Sequence, residues 1–138
     1  NTFSGCSSLM NVSFPSSLTN IEERAFYYCD SLSKISLLLL SELGELSFAE
    51  TNLIELKIPD SITQGAFSFC KSLRKIFIPS FVVKICKGSF QYCTSLEQIT
   101  IERPSLLAFI DECAFMQCRS LTQFDLPDSV NEIGPNTF

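Results

Sequence analysis

The sequence contains no histidine. Without an imidazole, Ser-His and Cys-His nucleophile pairs cannot be assembled, and a mixed Cys/His zinc site lacks half its ligands. Glycine is scarce, five in 138 residues, and none falls in a phosphate-cradling pattern. No apolar run approaches the ~20 residues that a bilayer-spanning helix needs; the longest, Ile35–Leu40, is interrupted by Ser36. Basic residues are outnumbered, 10 Lys and Arg against 15 Asp and Glu, and the net charge of −5 argues against a general nucleic-acid role. At 46% hydrophobic and 18% charged, the chain is too apolar to stay disordered. The carboxylate pairs Glu22-Glu23 and Asp111-Glu112 fall on segments facing solvent by pattern and read as solubilising charge. These absences leave a folded, non-enzymatic chain, with no metal, no cofactor and no membrane insertion expected.

What the sequence does contain is repetition. The stretch AFSFCKSLRKIFIP at 66–79 recurs as AFYYCDSLSKISL at 25–37, SFQYCTSLEQITI at 89–101 and AFMQCRSLTQFDLP at 114–127. A copy TFSGCSSLMNVSFP opens the chain at 2–15, and a degenerate one, SFAETNLIELKIP, fills 47–59. Anchored on the aromatic, the copies begin at Phe3, Phe26, Phe48, Phe67, Phe90, Phe115 and Phe138, with spacings of 23, 22, 19, 23, 25 and 23 residues. A period near 23 is the mark of a solenoid, in which each coil buries its face on its neighbours. The expectation is a single array over 1–138, a piece of a longer one, because the chain opens inside one copy and closes on the Phe of another.

Within each copy, Leu followed by apolar residues at +3 and +5 predicts a short half-buried strand, as in Leu73/Ile76/Ile78 and Leu96/Ile99/Ile101. Pro15, Pro59, Pro79 and Pro127 stop four such strands. Six strands stacked at one period predict a parallel sheet. The returning segments, such as SFVVKICKGSF at 80–90, are too short for stable helices; they predict extended stretches and a helical or 3₁₀ turn over Ala-Phe-x-x-Cys. Copy three has lost three residues between Pro59 and Phe67, which predicts a kinked back there. Copy five gains Glu102–Arg103, which predicts a widened turn.

The phenylalanines are expected to form an interior spine. Three residues after them come Cys6, Cys29, Cys70, Cys93 and Cys118. One cysteine per coil at a fixed position reads as a small buried hydrophobe rather than a disulfide framework or zinc site. Cys86 and Cys113 fall outside that column and are expected to be the exposed or reactive thiols.

The string Ala-Phe-x-x-Cys-x-x-Leu-x-x-Ile-x-Ile-Pro, followed by Ser-Val-x-x-Ile and the next Ala-Phe, resembles the BspA-like class of leucine-rich repeats over essentially the whole chain. The resemblance implies an α/β-type but β-rich leucine-rich repeat solenoid. Its expected form is right-handed, with a concave parallel sheet of about six short strands and a back of short strands and 3₁₀ turns. It also implies a cell-surface or secreted protein used in adhesion, with no catalytic residues to carry over.

Function is therefore expected to be protein–protein interaction, an adhesin module binding host or neighbouring-cell proteins; the alternative is a structural spacer without a ligand site. The solvent-facing strand positions discriminate. In copies three and four they bring together Ile54, Lys57, Arg74, Lys75 and Phe77, the candidate protein-binding residues. Residues 57–96 carry +5 and the remainder −10, so the expected partner is a protein with an acidic surface. The plain structural reading of Phe77 is β-propensity with a cross-strand contact to Lys57.

Overall fold

The fold is assembled from one hydrogen-bonding device repeated at every spine phenylalanine. In the computed structural model, which describes residues 1–37, 40–59 and 61–138, the residues two before and two after each Phe adopt left-handed backbone conformations. They include Arg24 (φ 51°) and Tyr28 (φ 60°) around Phe26, Leu46 and Glu50 around Phe48, and Gly88 and Tyr92 around Phe90. Left-handed residues placed four apart split the segment into consecutive tight turns. Every second N–H closes a local turn, as Ala25 to the Glu22 carbonyl (3.2 Å) and Tyr27 to the Arg24 carbonyl (3.3 Å). The intervening N–H groups point along the axis to the next coil. Arg24 donates to Glu45 (2.9 Å), Phe26 to Ser47 (2.8 Å) and Tyr28 to Ala49 (3.0 Å). The same three-bond ladder joins the later coils, with Phe67 to Ser89 and Phe90 to Ala114 both at 2.9 Å.

The expected 3₁₀ turn over Ala-Phe-x-x-Cys is thus replaced by this turn ladder. A 3₁₀ run needs successive right-handed residues, and the left-handed residues deny it. Among the described residues there is no helix of any kind, so the fold is a parallel β-solenoid.

The strands are β1 (Asn20–Ile21), β2 (Glu42–Leu43), β3 (Glu55–Lys57), β4 (Lys75–Ile78), β5 (Lys84–Ile85), β6 (Gln98–Ile101), β7 (Phe109–Ile110) and β8 (Glu132–Ile133). They form two faces. The strand face holds β3–β4–β6, and the return face holds β1–β2 and β5–β7–β8, all parallel. Six paired strands were expected on the strand face, and three form there among the described residues. Copies one and two contribute an isolated bridge, Asn11 to Lys34, and Ile54 N–H reaches the Ser33 carbonyl at 3.4 Å. Copy six adds no strand. The extra Glu102–Arg103 ends the regular ladder beside it, and the contact there is the Arg103 guanidinium on the Asp125 carbonyl at 3.4 Å. The deletion in copy three acts on the return face: among the described residues no return-face strand forms between β2 and β5, and that sheet is divided there. The Thr63 hydroxyl donates to the Leu43 carbonyl at 2.6 Å, filling the place of a ladder bond. Leu38 and Leu39 of the leucine run, and Asp60, lie outside the described residues.

Between the faces runs the spine. Successive rings from Phe3 to Phe138 stack with centroids 5.1–5.9 Å apart and planes within 14° of parallel. Inward strand residues such as Leu56, Ile76 and Ile78, and return residues such as Val82, Ile85 and Leu107, close around it.

The cysteine column does more than fill space. Each thiol donates to the carbonyl of the phenylalanine one coil back: Cys29 to Phe3 (3.1 Å), Cys70 to Phe48, Cys93 to Phe67 and Cys118 to Phe90 (each 3.3 Å). In the degenerate copy Thr51 occupies the slot, and its hydroxyl turns instead to the carbonyl of Phe48 in its own coil at 2.8 Å, with the Cys70 thiol 3.2 Å away. The slot therefore selects a small side chain with a donor. Cys29, Cys70 and Cys93 are buried, whereas Cys6, in the first coil with a neighbour on one side only, is exposed. That corrects the expectation that every column thiol is shielded. Cys86, Cys113 and Cys118 are half-buried.

Three predictions rest on this packing. Phe67→Ala, at a fully buried ring, is expected to cost about 3–5 kcal/mol, and Phe3→Ala or Phe138→Ala, at rings 45% and 61% exposed, clearly less. Urea unfolding of the three variants checks this, and equal losses contradict the spine. With Ellman's reagent, Cys6 reacts first in the native protein, Cys86 and Cys113 react slowly, and the three buried thiols react only on denaturation. Burial pushes the Cys118 thiol up to about 12 from its ordinary 9.0, and burial also raises Cys29 and Cys93. A raised folded value means stability is intact below pH 9 and falls as pH climbs toward 12, because only the unfolded chain ionises there. Alkaline melting curves with and without Cys118→Ser measure that loss.

Candidate functional site

The strand face presents its side chains by simple alternation. In β3 and β4, Leu56, Ile76 and Ile78 point inward and are buried, so Glu55, Lys57, Lys75 and Phe77 point out. Register aligns them in rows across the sheet: Glu55–Lys75–Gln98 and Lys57–Phe77–Thr100. Ile54 and Arg74 precede their strands and are tied together by the Arg74 N–H on the Ile54 carbonyl at 2.8 Å. All five residues singled out in the sequence thus lie on one face of two adjacent coils.

The cross-strand contact between Phe77 and Lys57, the plain structural reading of the ring, is present. The Lys57 ammonium sits 5.0 Å from the centroid of the Phe77 ring, a cation–π arrangement across the strands. Phe77 is therefore half-buried rather than free. Arg74 lies 3.9 Å from the Glu97 carboxylate, and Lys75 lies 4.0 Å from Glu55. All four of these side chains are more than half exposed, and at such separations each pair contributes only ~0–1 kcal/mol. Their effect is on the field, since two of the three cations face a carboxylate. Glu102 adds a third negative group nearby. The Ser80 N–H, bonded at 2.9 Å, holds its carboxyl below the usual range, and Lys57 lowers it further.

The positive block read from residues 57–96 is also divided between faces. Lys84 and Lys87 lie on the return side, bound to Asp111 (2.8 Å) and Glu112 (2.6 Å). These carboxylates raise both lysine pKa values above the ordinary range. The signal for this pairing was present in the sequence: residues one period apart are cross-coil neighbours, and Glu55, Glu97, Asp111 and Glu112 each stand one period from a cation.

The face is relieved by two shallow depressions. One, of about 390 Å³, is lined by Glu55, Lys57, Lys75, Phe77, Gln98 and Thr100. Its neighbour, of about 510 Å³, is lined by Ser33, Lys34, Ile35, Ile54 and Glu55. Both are open and share Glu55, and together they make a broad trough across coils two to five with Ile54, 42% exposed, in the wall of the second. Such a surface suits a macromolecular partner better than an enclosed small ligand.

The model of the BspA type leucine-rich repeat region matches residues 1–64 and 41–138, with six copies. A leucine-rich repeat protein from Bacteroides ovatus superposes with a TM-score of 0.87 at 29% identity, covering 96% of this chain and 35% of that one. A leucine-rich cell surface protein from Faecalibacterium prausnitzii gives 0.78 at 30% identity, covering 90% and 34%. A leucine-rich repeat protein from T. pallidum gives 0.76 at 27% identity, covering 88% and 58%. The chain thus spans between about a third and somewhat over half of the length of these structures. No curated protein matches the sequence.

Proposed function

The chain belongs to the BspA-type leucine-rich repeat family, and from that premise we propose a non-enzymatic protein-interaction module of a cell-surface adhesin. Its ligand is a host or neighbouring-cell protein, and it docks on the trough centred on Phe77. The observation that carries this reading is an aromatic ring and an exposed Ile54 in the middle of a solvent-facing sheet, with Arg74, Lys75 and Lys57 around them. Aromatic and Arg side chains anchor interfaces, and the array needs neither for its core. The cell-surface relative from Faecalibacterium prausnitzii supports the location. Lys57, with no carboxylate within ion-pair distance among the described residues, is the cation left to engage an acidic partner. Glu55 and Glu97 temper that attraction.

The spacer reading has one observation in its favour: Lys57 covers Phe77, so the ring already has a partner within the array. The two readings separate in binding measurements against purified extracellular matrix proteins by biolayer interferometry. Phe77→Ala and Arg74→Glu are each expected to weaken binding about tenfold or more, equivalent to ~1.4 kcal/mol or above. Unfolding free energy should change by only ~1 kcal/mol or less, as for other exposed strand positions. Glu55→Gln with Glu97→Gln is expected to tighten binding to an acidic ligand and steepen its salt dependence. Undiminished binding in the Phe77→Ala/Arg74→Glu protein rules this face out.

A further inference from the structure

Of the six asparagines in the chain, only Asn11 stands two positions before a hydroxyl residue with a non-proline between, in Asn11-Val12-Ser13. Asn-x-Ser is the acceptor pattern for an N-linked oligosaccharide, a bulky modification that only an exposed position can carry.

The strand face meets that condition at this point. Val12 is the inward residue of copy one, half-buried and packed against the core. Alternation turns Asn11 and Ser13 outward together, and both are exposed. Copy one forms no strand there, only the single bridge from Asn11 to Lys34. The acceptor therefore lies on irregular surface backbone, the usual setting of such sites. Other asparagines are committed within the array. The Asn20 amide donates to the Glu42 carboxylate at 3.3 Å, and Asn52 accepts from the Ser72 hydroxyl, whereas the Asn11 amide has no side-chain partner among the described residues.

The ground around Asn11 is low. Its neighbours on the face are Ser13, Ser33 and Ser36 with Lys34, against the larger Ile54, Arg74 and Phe77 of copies three and four. Three short side chains leave room above the sheet for a sugar. Met10, next to the acceptor, is an apolar side chain 64% exposed, and the C–H face of a sugar ring can cover it.

We propose that Asn11 carries an N-linked oligosaccharide, and that this glycan covers copies one and two of the strand face and bounds the trough on that side. In the transfer, the Asn11 amide nitrogen bonds to C1 of a polyprenyl-diphosphate-linked oligosaccharide. The C1–O bond to phosphate breaks, the diphosphate leaves with the bonding pair, and the amide gives up one proton to the transferase. The modification rests on the cell-surface location proposed above and is independent of what binds at Phe77. Neighbouring strands lie ~4.8 Å apart, so Lys34 adjoins the attachment point, and Lys75, three coils along the same row, stands roughly 15 Å away.

The test expresses the whole chain behind a cleavable secretion signal in insect cells, which supply the transferase and the lipid-linked sugar. Intact-mass spectrometry is expected to show one added oligosaccharide that peptide-N-glycosidase F releases. Asn11→Gln and Ser13→Ala should carry none, and Ser13→Thr should keep it. An amine-reactive ester then reads the cover. In the glycosylated protein Lys34 should label several-fold more slowly than in Asn11→Gln, and Lys75 at an unchanged rate. Circular dichroism confirms that the variants are folded. Secreted, folded protein without the sugar overturns the acceptor site. A glycan that leaves Lys34 labelling unchanged overturns the cover, and one that slows Lys75 equally overturns the boundary. Ligand binding lost in Phe77→Ala and kept in Asn11→Gln is read separately, so failure of either site leaves the other standing.

Discussion

The rest of the structure depends on the ladder of backbone bonds at the phenylalanine turns. Strands on either face are two to four residues long, too short to fix the stacking of coils by themselves. The turns contribute three axial bonds per junction, as at Arg24, Phe26 and Tyr28, each worth about 1 kcal/mol net. Left-handed conformations at non-glycine residues cost roughly 1–2 kcal/mol each. They persist because the bonds they aim are buried and the rings beneath them stack. Ring, thiol and amide act together at one locus, with the carbonyls of Phe3, Phe48, Phe67 and Phe90 each receiving the next coil's thiol.

This arrangement separates what holds the array together from what it shows to solvent. The spine, column and ladder occupy the interior and one edge, and the outward positions of the strand face are released from structural duty. That is why an apolar Ile54, a basic Arg74 and an acidic Glu97 can follow one another across adjacent coils, joined by Arg74 N–H on the Ile54 carbonyl and Glu97 N–H on the Arg74 carbonyl. Differences between copies at such positions carry information about partners, whereas differences in the core carry information about packing.

Much of this was legible in the sequence, for physical reasons. The Phe, Leu and Ile positions recur at one period because burial tolerates little else, and the five candidate residues fall on one face because strand alternation is fixed. The turn ladder was not legible. Gly65, Gly88 and Asn136 hint at left-handed backbone, but Arg24, Leu46, Tyr28 and Phe69 occupy the same conformations without any compositional sign. The donor role of the cysteines was hidden because a small hydrophobe and a weak donor are the same residue. The charge pattern was misjudged because summing along the chain ignores pairing across it: Lys75 meets Glu55 twenty positions away.

The spacing between phenylalanines varies from 19 to 25 residues, yet their rings keep centroid separations of 5.1–5.9 Å. Pitch and circumference are therefore independent quantities in this molecule. The axle sets the pitch, and the length of chain between one turn and the next sets the circumference of each coil. A shorter coil, as at copy three, leaves a notch in the outline, and a longer one, as at copy five, raises a shoulder. Relief on the outside is thus adjustable by length as well as by side chain, at no expense to the stacking within.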